Sequence, residues 1–349
     1  MSEARSEARS EADVERRLRW LRRLGERLQA AVSAGLRAES VERLASVAGE
    51  RGGDIIYRLD EHGEEALLAL CEEWAREEPF LLVAEGLEEG QRIFPASATT
   101  DQLAFTLIVD PIDGTRGLMY GKRSAWALLG VAPPPRAGAW PTLADITLAL
   151  QAELPTPRAA LADTLWAVAG QGALGETRDL RTGATTPFTP APSAATTLAG
   201  GFASLVKFFP GIKAQTAELE EALFAELLGP PPTDAPQVFD DQYISSGGQL
   251  YELMVGHDRF VGDLRPLLSA SGQAVSLCAH PYDLGAELIA REAGVIVTDP
   301  WGRPLAAPLD THTPVAWVGY ANARLRDAIA PTLRRLLRER LGAQPGALE

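Results

Sequence analysis

Cysteine and lysine are both scarce in this chain of 349 residues, which contains two cysteines and three lysines. Cys71 and Cys278 lie far apart without metal-type spacing, so they indicate neither a disulfide framework nor a zinc site. We expect both to be reduced, buried thiols in a cytoplasmic protein. No apolar run is long enough to span a bilayer, and the charged N-terminus is neither a signal peptide nor a membrane span.

Basic residues are also outnumbered, with 33 Lys and Arg against 47 Asp and Glu and a formal net charge of −14. A chain this acidic repels phosphate backbones and anionic lipid, which argues against nucleic acid or a membrane as its main partner. An anionic substrate would therefore need a site where its charge is neutralised. The length suggests two domains or one large one, at roughly 150 residues per domain.

Hydrophobic patterning predicts a chain that mixes helices and strands. Short apolar, β-branched runs predict strands, among them FLLVAEG at 80–86 and LAFTLIVD at 103–110. The segment 182–197 is rich in Thr, Pro and Ala and marks the predicted boundary between an N-terminal part, 1–195, and a C-terminal part, 196–349. Helical spacing of apolar residues predicts helices over 12–36, 63–77 and about 214–228, from about Gly247, from Asp283 to Gly294, and over the arginine-rich C-terminus.

Four acidic residues lie where acids are unusual, at the ends of apolar strands or at the start of a helix. Burial of an unpaired carboxylate is costly, and the chain has few lysines to serve as partners. Mg²⁺ is a suitable partner instead, because hard divalent cations take oxygen ligands. The four residues are Glu85, Asp110, Asp113 and Asp283.

Two of these acids belong to the hexapeptide DPIDGT, residues 110–115. Pro111 fixes the backbone after the first acid and Gly114 permits a tight turn, so both carboxylates can turn toward one point. The amides of Gly114 and Thr115 can form a nest for an anion. The motif thus predicts a place where metal and phosphate meet; the alternative is an ordinary turn between two strands.

Five segments, in order along the chain, resemble motifs of the inositol monophosphatase family. Members of this family are Mg²⁺-dependent, lithium-sensitive phosphatases. DPIDGT after an apolar strand resembles the first family signature. YDLGAELIAREAGVIVTD at 282–299 resembles the second, in which a Trp-Asp pair begins a helix. The resemblance covers about residues 50 to 325, and its other three segments are DIIYRLD at 54–60, AEG at 84–86 and GQGA at 170–173.

The resemblance implies a metal site for two or three Mg²⁺ ions. The ions would lower the pKa of the attacking water and neutralise charge during in-line displacement at phosphorus. The implied metal ligands are Glu85, Asp110, the carbonyl of Ile112, Asp113 and Asp283.

The same resemblance assigns catalytic and phosphate-binding roles. Thr115 and Glu85 would hold the attacking water, and Asp60 would orient the Thr115 hydroxyl. Asp113, Gly114 and Thr115 would bind the phosphate.

The fold implied by the resemblance is of the α/β (α+β) class, a layered αβαβα sandwich of the sugar and inositol phosphatase type. A larger antiparallel sheet and the DPIDGT turn would lie in 1–195, and a smaller mixed sheet with the last metal ligand in 196–349. The active site would lie between the two parts. Homodimers are common in the family, so the resemblance makes a homodimer an assembly to test.

Several positions depart from the family pattern. Gly86 stands where the family has a second glutamate, which predicts a weaker outer-shell or third-metal contact. Tyr57 and Tyr282 replace a threonine and a tryptophan without removing a ligand. The stretch 264–281 is longer than usual where family members select the alcohol part of the substrate. The residues assigned to substrate selection are Ser245, Ser246, Gly247 and His280.

Some individual residues have plainer explanations that the sequence leaves open. Asp283 alone is typical of a helix N-cap, and Asp60 of a turn before the helix at 63–77. A basic group after the phosphate turn fits either a second phosphate or a solvated hairpin, and consists of Arg116, Lys122 and Arg123.

The sequence therefore predicts a Mg²⁺-dependent phosphomonoesterase whose substrate is a small phosphorylated metabolite, a polyol or sugar phosphate. One alternative is a bisphosphate phosphatase for a 3′-phosphoadenosine-type nucleotide or fructose 1,6-bisphosphate. The family's fructose-bisphosphatase branch tends to have serine at the position of Thr115, which argues against that substrate. The other alternative is a catalytically silent protein that binds a phosphate ligand, disfavoured because the four acids and Thr115 are all present.

Overall fold

Helices and strands alternate along the chain in the computed structural model, which describes residues 2–39, 41–44, 47–51, 54–230, 235–268 and 278–341. Short 3₁₀ turns occur at Thr100–Gln102, Leu143–Asp145 and Pro281–Leu284. The α-helices of the described residues are α1 (Ser2–Ala38), α2 (Val41–Leu44), α3 (Arg58–Trp74), α4 (Thr115–Met119), α5 (Lys213–Leu228), α6 (Ser246–Met254), α7 (Arg265–Leu268), α8 (Glu287–Ala293) and α9 (Ala323–Leu341).

The strands form two large sheets and a separate hairpin. Strands β1 and β2 make the hairpin, β3 to β10 make an eight-stranded sheet, and β11 to β15 make a five-stranded sheet. The strands are β1 (Val47–Arg51), β2 (Asp54–Tyr57), β3 (Phe80–Ala84), β4 (Gln91–Phe94), β5 (Phe105–Asp113), β6 (Ala125–Ala132), β7 (Leu148–Leu154), β8 (Leu161–Val168), β9 (Ala173–Asp179), β10 (Thr185–Phe188), β11 (Gly201–Leu205), β12 (Val238–Phe239), β13 (Asp258–Asp263), β14 (Ile296–Thr298) and β15 (Trp317–Tyr320).

Strand order explains how the site is assembled. The larger sheet has the order β10-β9-β8-β7-β6-β5-β3-β4, and its neighbours are antiparallel except for β3 and β5. That parallel pair departs from the expected antiparallel sheet. It arises because β4 folds back on the outer edge of β3, so the chain crosses to the other edge before β5 begins. The smaller sheet, β12-β11-β13-β15-β14, is mixed.

Helices cover both sheets, and the layers follow the predicted αβαβα order. Helices α1 and α3 pack on the outer face of the larger sheet. Helices α6 and α8 lie between the two sheets, and α5 and α9 cover the far face of the smaller sheet. Both sheets are thus buried on both faces, which explains why their central strands are almost continuously apolar. The proposed division at residue 195 stays a prediction.

The apolar stripe of α1 anchors this helix to the larger sheet. Leu21, Leu24 and Leu28 are each at most 1% exposed. The rings of Trp20 and Trp74 stack with centroids 5.3 Å apart, which joins α1 to α3. The helix predicted over 12–36 is therefore confirmed and extends further in both directions.

One predicted helix boundary is wrong, and one strand was not predicted. Helix α3 begins at Arg58, earlier than 63, because its apolar face includes the fully buried Leu59. Asp60 consequently lies in the first turn of the helix and not in a turn before it. The segment 182–197 contains β10, and Pro187 is tolerated there because β10 is an edge strand.

The second signature segment folds as two pieces. Its first residues form the 3₁₀ turn Pro281–Leu284, and α8 follows and ends at Gly294, whose φ of 99° closes the helix as predicted. The carboxylate of Glu292 accepts hydrogen bonds of 2.8 Å from the amides of Gly170 and Gly172. The GQGA turn is thereby tied to the helical layer between the sheets.

Both cysteines, Cys71 and Cys278, are free and buried, as expected. No helix in the described part of the chain is both long enough and apolar enough to cross a membrane.

Leu28→Ala tests whether the packing of α1 stabilises the larger sheet. Removal of this fully buried side chain should lower the free energy of unfolding by about 2–5 kcal/mol, because a cavity remains between helix and sheet. Urea unfolding measures the change. The matched control is Leu161→Ala on β8, where the leucine is 53% exposed; equal losses in the two variants would contradict the prediction.

Candidate metal centre

The parallel pair of strands brings the first acids together. Strands β3 and β5 end at the same edge of the sheet, with Glu85 directly after β3 and Asp110 and Asp113 in the last residues of β5. Asp283 reaches this edge from the 3₁₀ turn before α8. One carboxylate oxygen from each of Asp110, Asp113 and Asp283 lies within 4.8 Å of the other two.

Asp110 is the most buried of these acids, at 1% exposure. Its Oδ1 accepts a hydrogen bond of 2.9 Å from the amide of Ile112. Burial raises the pKa of Asp110 well above its usual value, and the charges of Glu85, Asp113 and Asp283 raise it further. The protein therefore holds this carboxylate in a place that favours a cation nearby.

Residues from the C-terminal part of the chain hold the Asp113 carboxylate in place by hydrogen bonds. Its Oδ2 accepts hydrogen bonds from the Ser245 hydroxyl at 2.8 Å and the Gly247 amide at 2.6 Å. Burial and the charge of Asp283 raise the pKa of Asp113 to about 8, although these hydrogen bonds act in the opposite direction. A Cβ on Gly247 would lie 2.5 Å from Leu128, so glycine is needed for this close approach.

The DPIDGT turn positions a hydroxyl beside the acids. Gly114 has a φ of 100°, which reverses the chain between β5 and α4. The Oγ1 of Thr115 lies 2.9 Å from Oδ1 of Asp60 and 2.8 Å from the carbonyl oxygen of Ile112. A hydroxyl has one proton to donate, so it donates to either acceptor and keeps its lone pairs for another donor.

Residues around Asp283 form the wall next to the cluster. The amide of His280 donates to Oδ2 of Asp283 at 2.6 Å, so Asp283 caps its own turn and also faces the cluster. The His280 ring stacks on Tyr282, with centroids 5.4 Å apart. Burial lowers the pKa of His280, but hydrogen bonds to Asp283 and Cys278 outweigh it and raise the pKa to about 10.

A cavity of about 460 Å³ contains the whole cluster. Glu64 extends into the space beside Gly86, where its Oε2 would lie 3.5 Å from an added Cβ. The middle of the long stretch that was expected to select the substrate, 269–277, lies outside the described residues. The cavity brings together these predicted site residues: Asp60, Glu85, Asp110, Ile112, Asp113, Gly114, Thr115, Ser245, Ser246, His280 and Asp283.

The three basic residues after the DPIDGT turn lie in different surroundings. Arg116 lines the cavity. Arg123 instead pairs with Asp241, and its guanidinium lies 4.8 Å from the ring centroid of Tyr243. Lys122 is exposed.

Several residues that line the cavity were not identified from the sequence. Among them are Arg265, at the start of α7, and the neighbouring Phe208 and Phe209 after β11. The sequence offered little signal for Arg265, because its contacts with Phe208 and Phe209 join residues that are distant in sequence.

These residues fit a hard divalent cation. The donors are carboxylate oxygens, the set preferred by Mg²⁺. Two of the three clustered acids are buried, and a bound cation would relieve the repulsion between them. Asp110, Asp113 and Asp283 would hold the ion, with Glu85 on the same cavity wall.

Asp110→Asn tests the repulsion in the metal-free protein. Because the pKa of Asp113 is higher in the folded than in the unfolded chain, the folded state binds extra protons between about pH 4 and pH 8. The free energy of unfolding of the wild type should therefore fall as the pH rises through that range. At pH 8 with a chelator, Asp110→Asn should be more stable than the wild type by about 1 kcal/mol or more.

Chemical denaturation at pH 5 and pH 8 measures this difference, and Asp327→Asn on the exposed side of α9 is the matched control. Addition of Mg²⁺ should then stabilise the wild type more than Asp110→Asn, since only the native cluster binds the ion tightly. A metal-free Asp110→Asn that is less stable than the wild type at pH 8 would contradict the account.

Comparisons with known proteins support the fold. No protein-family model matches the chain, and no curated protein matches its sequence. Fructose-1,6-bisphosphatase from Leishmania major is similar in structure, with a TM-score of 0.65 and 15% identity over 91% of this chain and 93% of that one. The extragenic suppressor protein suhB from Bartonella henselae gives a TM-score of 0.60 and 15% identity over 91% and 98%.

A Pyrococcus horikoshii protein described as having similarities to inositol-1 monophosphatase gives a TM-score of 0.61 and 14% identity, over 91% of this chain and 98% of that one. At these identities the likeness concerns the fold. The layered α/β architecture of this chain is thus the fold of these three structures.

Proposed function

We propose that this chain is a Mg²⁺-dependent phosphomonoesterase that acts on a small polyol or sugar phosphate. The observation that carries the proposal is the convergence of Asp110, Asp113 and Asp283 beside the DPIDGT turn, within one cavity. Carboxylates for a cation and turn amides for a phosphate stand together there. The fold neighbours, one of which is a fructose-1,6-bisphosphatase, support the same reaction class.

The carboxylates of Glu85, Asp110, Asp113 and Asp283 would hold Mg²⁺. When bound, Mg²⁺ neutralises charge on the phosphate and lowers the pKa of a water molecule. The amides of Gly114, with its φ of 100°, and of the residue after it would receive the phosphate oxygens.

Thr115 and Asp60 would orient the attacking water. With its proton donated to Oδ1 of Asp60, 2.9 Å away, the Thr115 hydroxyl would accept a hydrogen bond from the water through its oxygen. Glu85 lines the same cavity and would accept the water's second hydrogen bond. Most of the catalysis then comes from positioning and charge, as is general for phosphoryl transfer.

Two alternatives remain as outcomes of the test. A bisphosphate phosphatase would release phosphate from a substrate with two phosphates, and a silent protein would bind phosphate ligands without turnover. Under our proposal the partner is a small phosphorylated metabolite, not nucleic acid or a membrane. Cytoplasmic location and a homodimer stay predictions from the sequence.

A phosphate-release assay over sugar, polyol and nucleotide phosphates tests the proposal directly. We expect activity that requires Mg²⁺ and a loss of at least about 100-fold in kcat for Asp110→Asn, since even outer-shell partners of a metal contribute 10- to 100-fold. Asp327→Asn should keep wild-type activity. No phosphate release from any compound, with phosphate ligands still bound, would replace the proposal with the silent alternative.

Lithium provides a separate test of the metal arrangement. If the carboxylates hold Mg²⁺ as in the family that the sequence resembles, millimolar Li⁺ should inhibit phosphate release, and excess Na⁺ at equal ionic strength should not. Steady-state rates with each salt give the comparison. Full activity in Li⁺ would indicate a different ion arrangement, for which Gly86 is the first position to examine.

A further inference from the structure

A second cavity lies apart from the metal centre. It has a volume of about 490 Å³ and is bounded by one face of α1, the loop between β7 and β8, and the end of β9 with the turn that follows it. None of its described lining residues lines the metal cavity. Its volume falls within the range of about 300–1,000 Å³ that is typical of small-molecule sites, and the proposed reaction makes no use of it.

The charge of this second cavity is opposite to that of the metal cavity. Its described lining residues include three arginines, Arg37, Arg178 and Arg181, and one acid, Glu26. The metal cavity is lined by eight acids against two arginines. In a chain with a net charge of −14, three guanidinium groups at one concave place form a local positive surface that attracts anions.

The three arginines are exposed, and none of them forms an ion pair with a carboxylate in the described part of the chain. Asp179 lies between two of them in sequence, but its Oδ1 accepts hydrogen bonds of 2.8 Å from the amides of Arg181 and Thr182. This carboxylate therefore shapes the turn, and it does not line the cavity. The guanidinium groups keep their N–H donors for a ligand.

Backbone hydrogen bonds hold the turn that carries two of these arginines. The amide of Gly183 donates to the carbonyl oxygen of Asp179 at 2.8 Å, which closes the turn between β9 and β10. The amide of Leu180 donates to the carbonyl oxygen of Ala160 at 2.9 Å, which ties the turn to the loop before β8. This side of the cavity is thus formed before a ligand binds, which lowers the entropy lost on binding.

The rest of the lining suits the organic part of a small molecule. Leu36, Pro155 and Leu180 provide aliphatic surface, and Ser33 and Thr156 provide hydroxyl groups. No aromatic side chain is among the described lining residues, so the cavity offers no ring on which a planar base could stack. These features favour an aliphatic group attached to an anion.

We propose that the second cavity binds a small organic phosphate with an aliphatic portion, and that Arg37, Arg178 and Arg181 hold its phosphate. Arginine suits this role because its planar guanidinium donates two parallel hydrogen bonds to phosphate oxygens. The site is independent of the proposed phosphatase activity, since none of the acids that would hold Mg²⁺ lines this cavity.

Isothermal titration calorimetry on metal-free protein tests the site without turnover. The probes are 3-methylbutyl phosphate, methyl phosphate with the same charge, and 3-methylbutanol without charge. In the absence of Mg²⁺ the eight acids of the metal cavity repel both phosphates. We expect 3-methylbutyl phosphate to bind at least about 10-fold more tightly than methyl phosphate, because its additional carbons are buried. The alcohol should not bind at the same concentrations, and added NaCl should weaken both phosphates.

The double variant Arg178→Gln/Arg181→Gln removes two guanidinium groups from the turn. It should weaken the binding of 3-methylbutyl phosphate by about 10-fold or more, since hydrogen bonds between charged groups are the stronger ones. Its Tm should stay that of the wild type, because neither side chain forms an ion pair in the described structure. The control Arg76→Gln/Arg324→Gln makes the same charge change at exposed arginines outside the cavity and should bind as the wild type does.

Three results would overturn the site. Equal weakening in the two double variants would show that only the overall charge attracts the phosphate. Equal affinities for the two phosphates, or no binding of either, would remove the aliphatic phosphate as the ligand. Full affinity in Arg178→Gln/Arg181→Gln with a loss in Arg116→Gln would place the phosphate in the metal cavity. None of these results decides whether the metal centre releases phosphate, which is measured separately with Mg²⁺.

Discussion

Repulsion among buried carboxylates is the constraint on which this structure depends. Asp110 and Asp113 lie at the end of a strand that is buried over its whole length, and a carboxylate oxygen of Asp283 lies within 4.8 Å of theirs. Burial raises the pKa of both strand acids. A fold that keeps such a group in place has to supply stability elsewhere, which the two apolar cores on either side of the larger sheet provide.

One feature of the sheet topology places the metal site beside the apolar cores. Strands β3 and β5 are the parallel pair in an otherwise antiparallel sheet, so their carboxyl ends lie at the same edge. The layer of α6 and the turn before α8 then close over that edge. The chain thus brings acids from three segments that are distant in sequence to one cavity.

Much of this was predictable from local patterns. Asp110, Asp113 and Asp283 were identified because each stood out against an apolar strand or began a helix, and the structure brings them together. Gly294 was identified as a helix end for the same kind of local reason. The roles of these acids in catalysis stay proposals.

Other features depended on contacts that no local pattern contains. Ser245 and Gly247 bond to Asp113 across 132 and 134 residues. Arg265 packs against Phe208 and Phe209, which follow strand β11 and lie more than 50 residues earlier in the chain. The start of α3 was missed because tertiary packing overrode the local signals of the residues before 63. The strand β10 was missed because its edge position overrode the local signals of the segment 182–197.

The hydrogen bonds to Asp113 also have a mechanical consequence. This acid belongs to the larger sheet, but its Oδ2 is clamped by Ser245 and Gly247 at the start of α6. Any sliding of the α6 layer against the larger sheet would therefore turn the carboxylate. The affinity of Asp113 for an ion and the relative position of the two layers are therefore thermodynamically linked. An ion bound by Asp113 would stabilise one position of the α6 layer against the larger sheet.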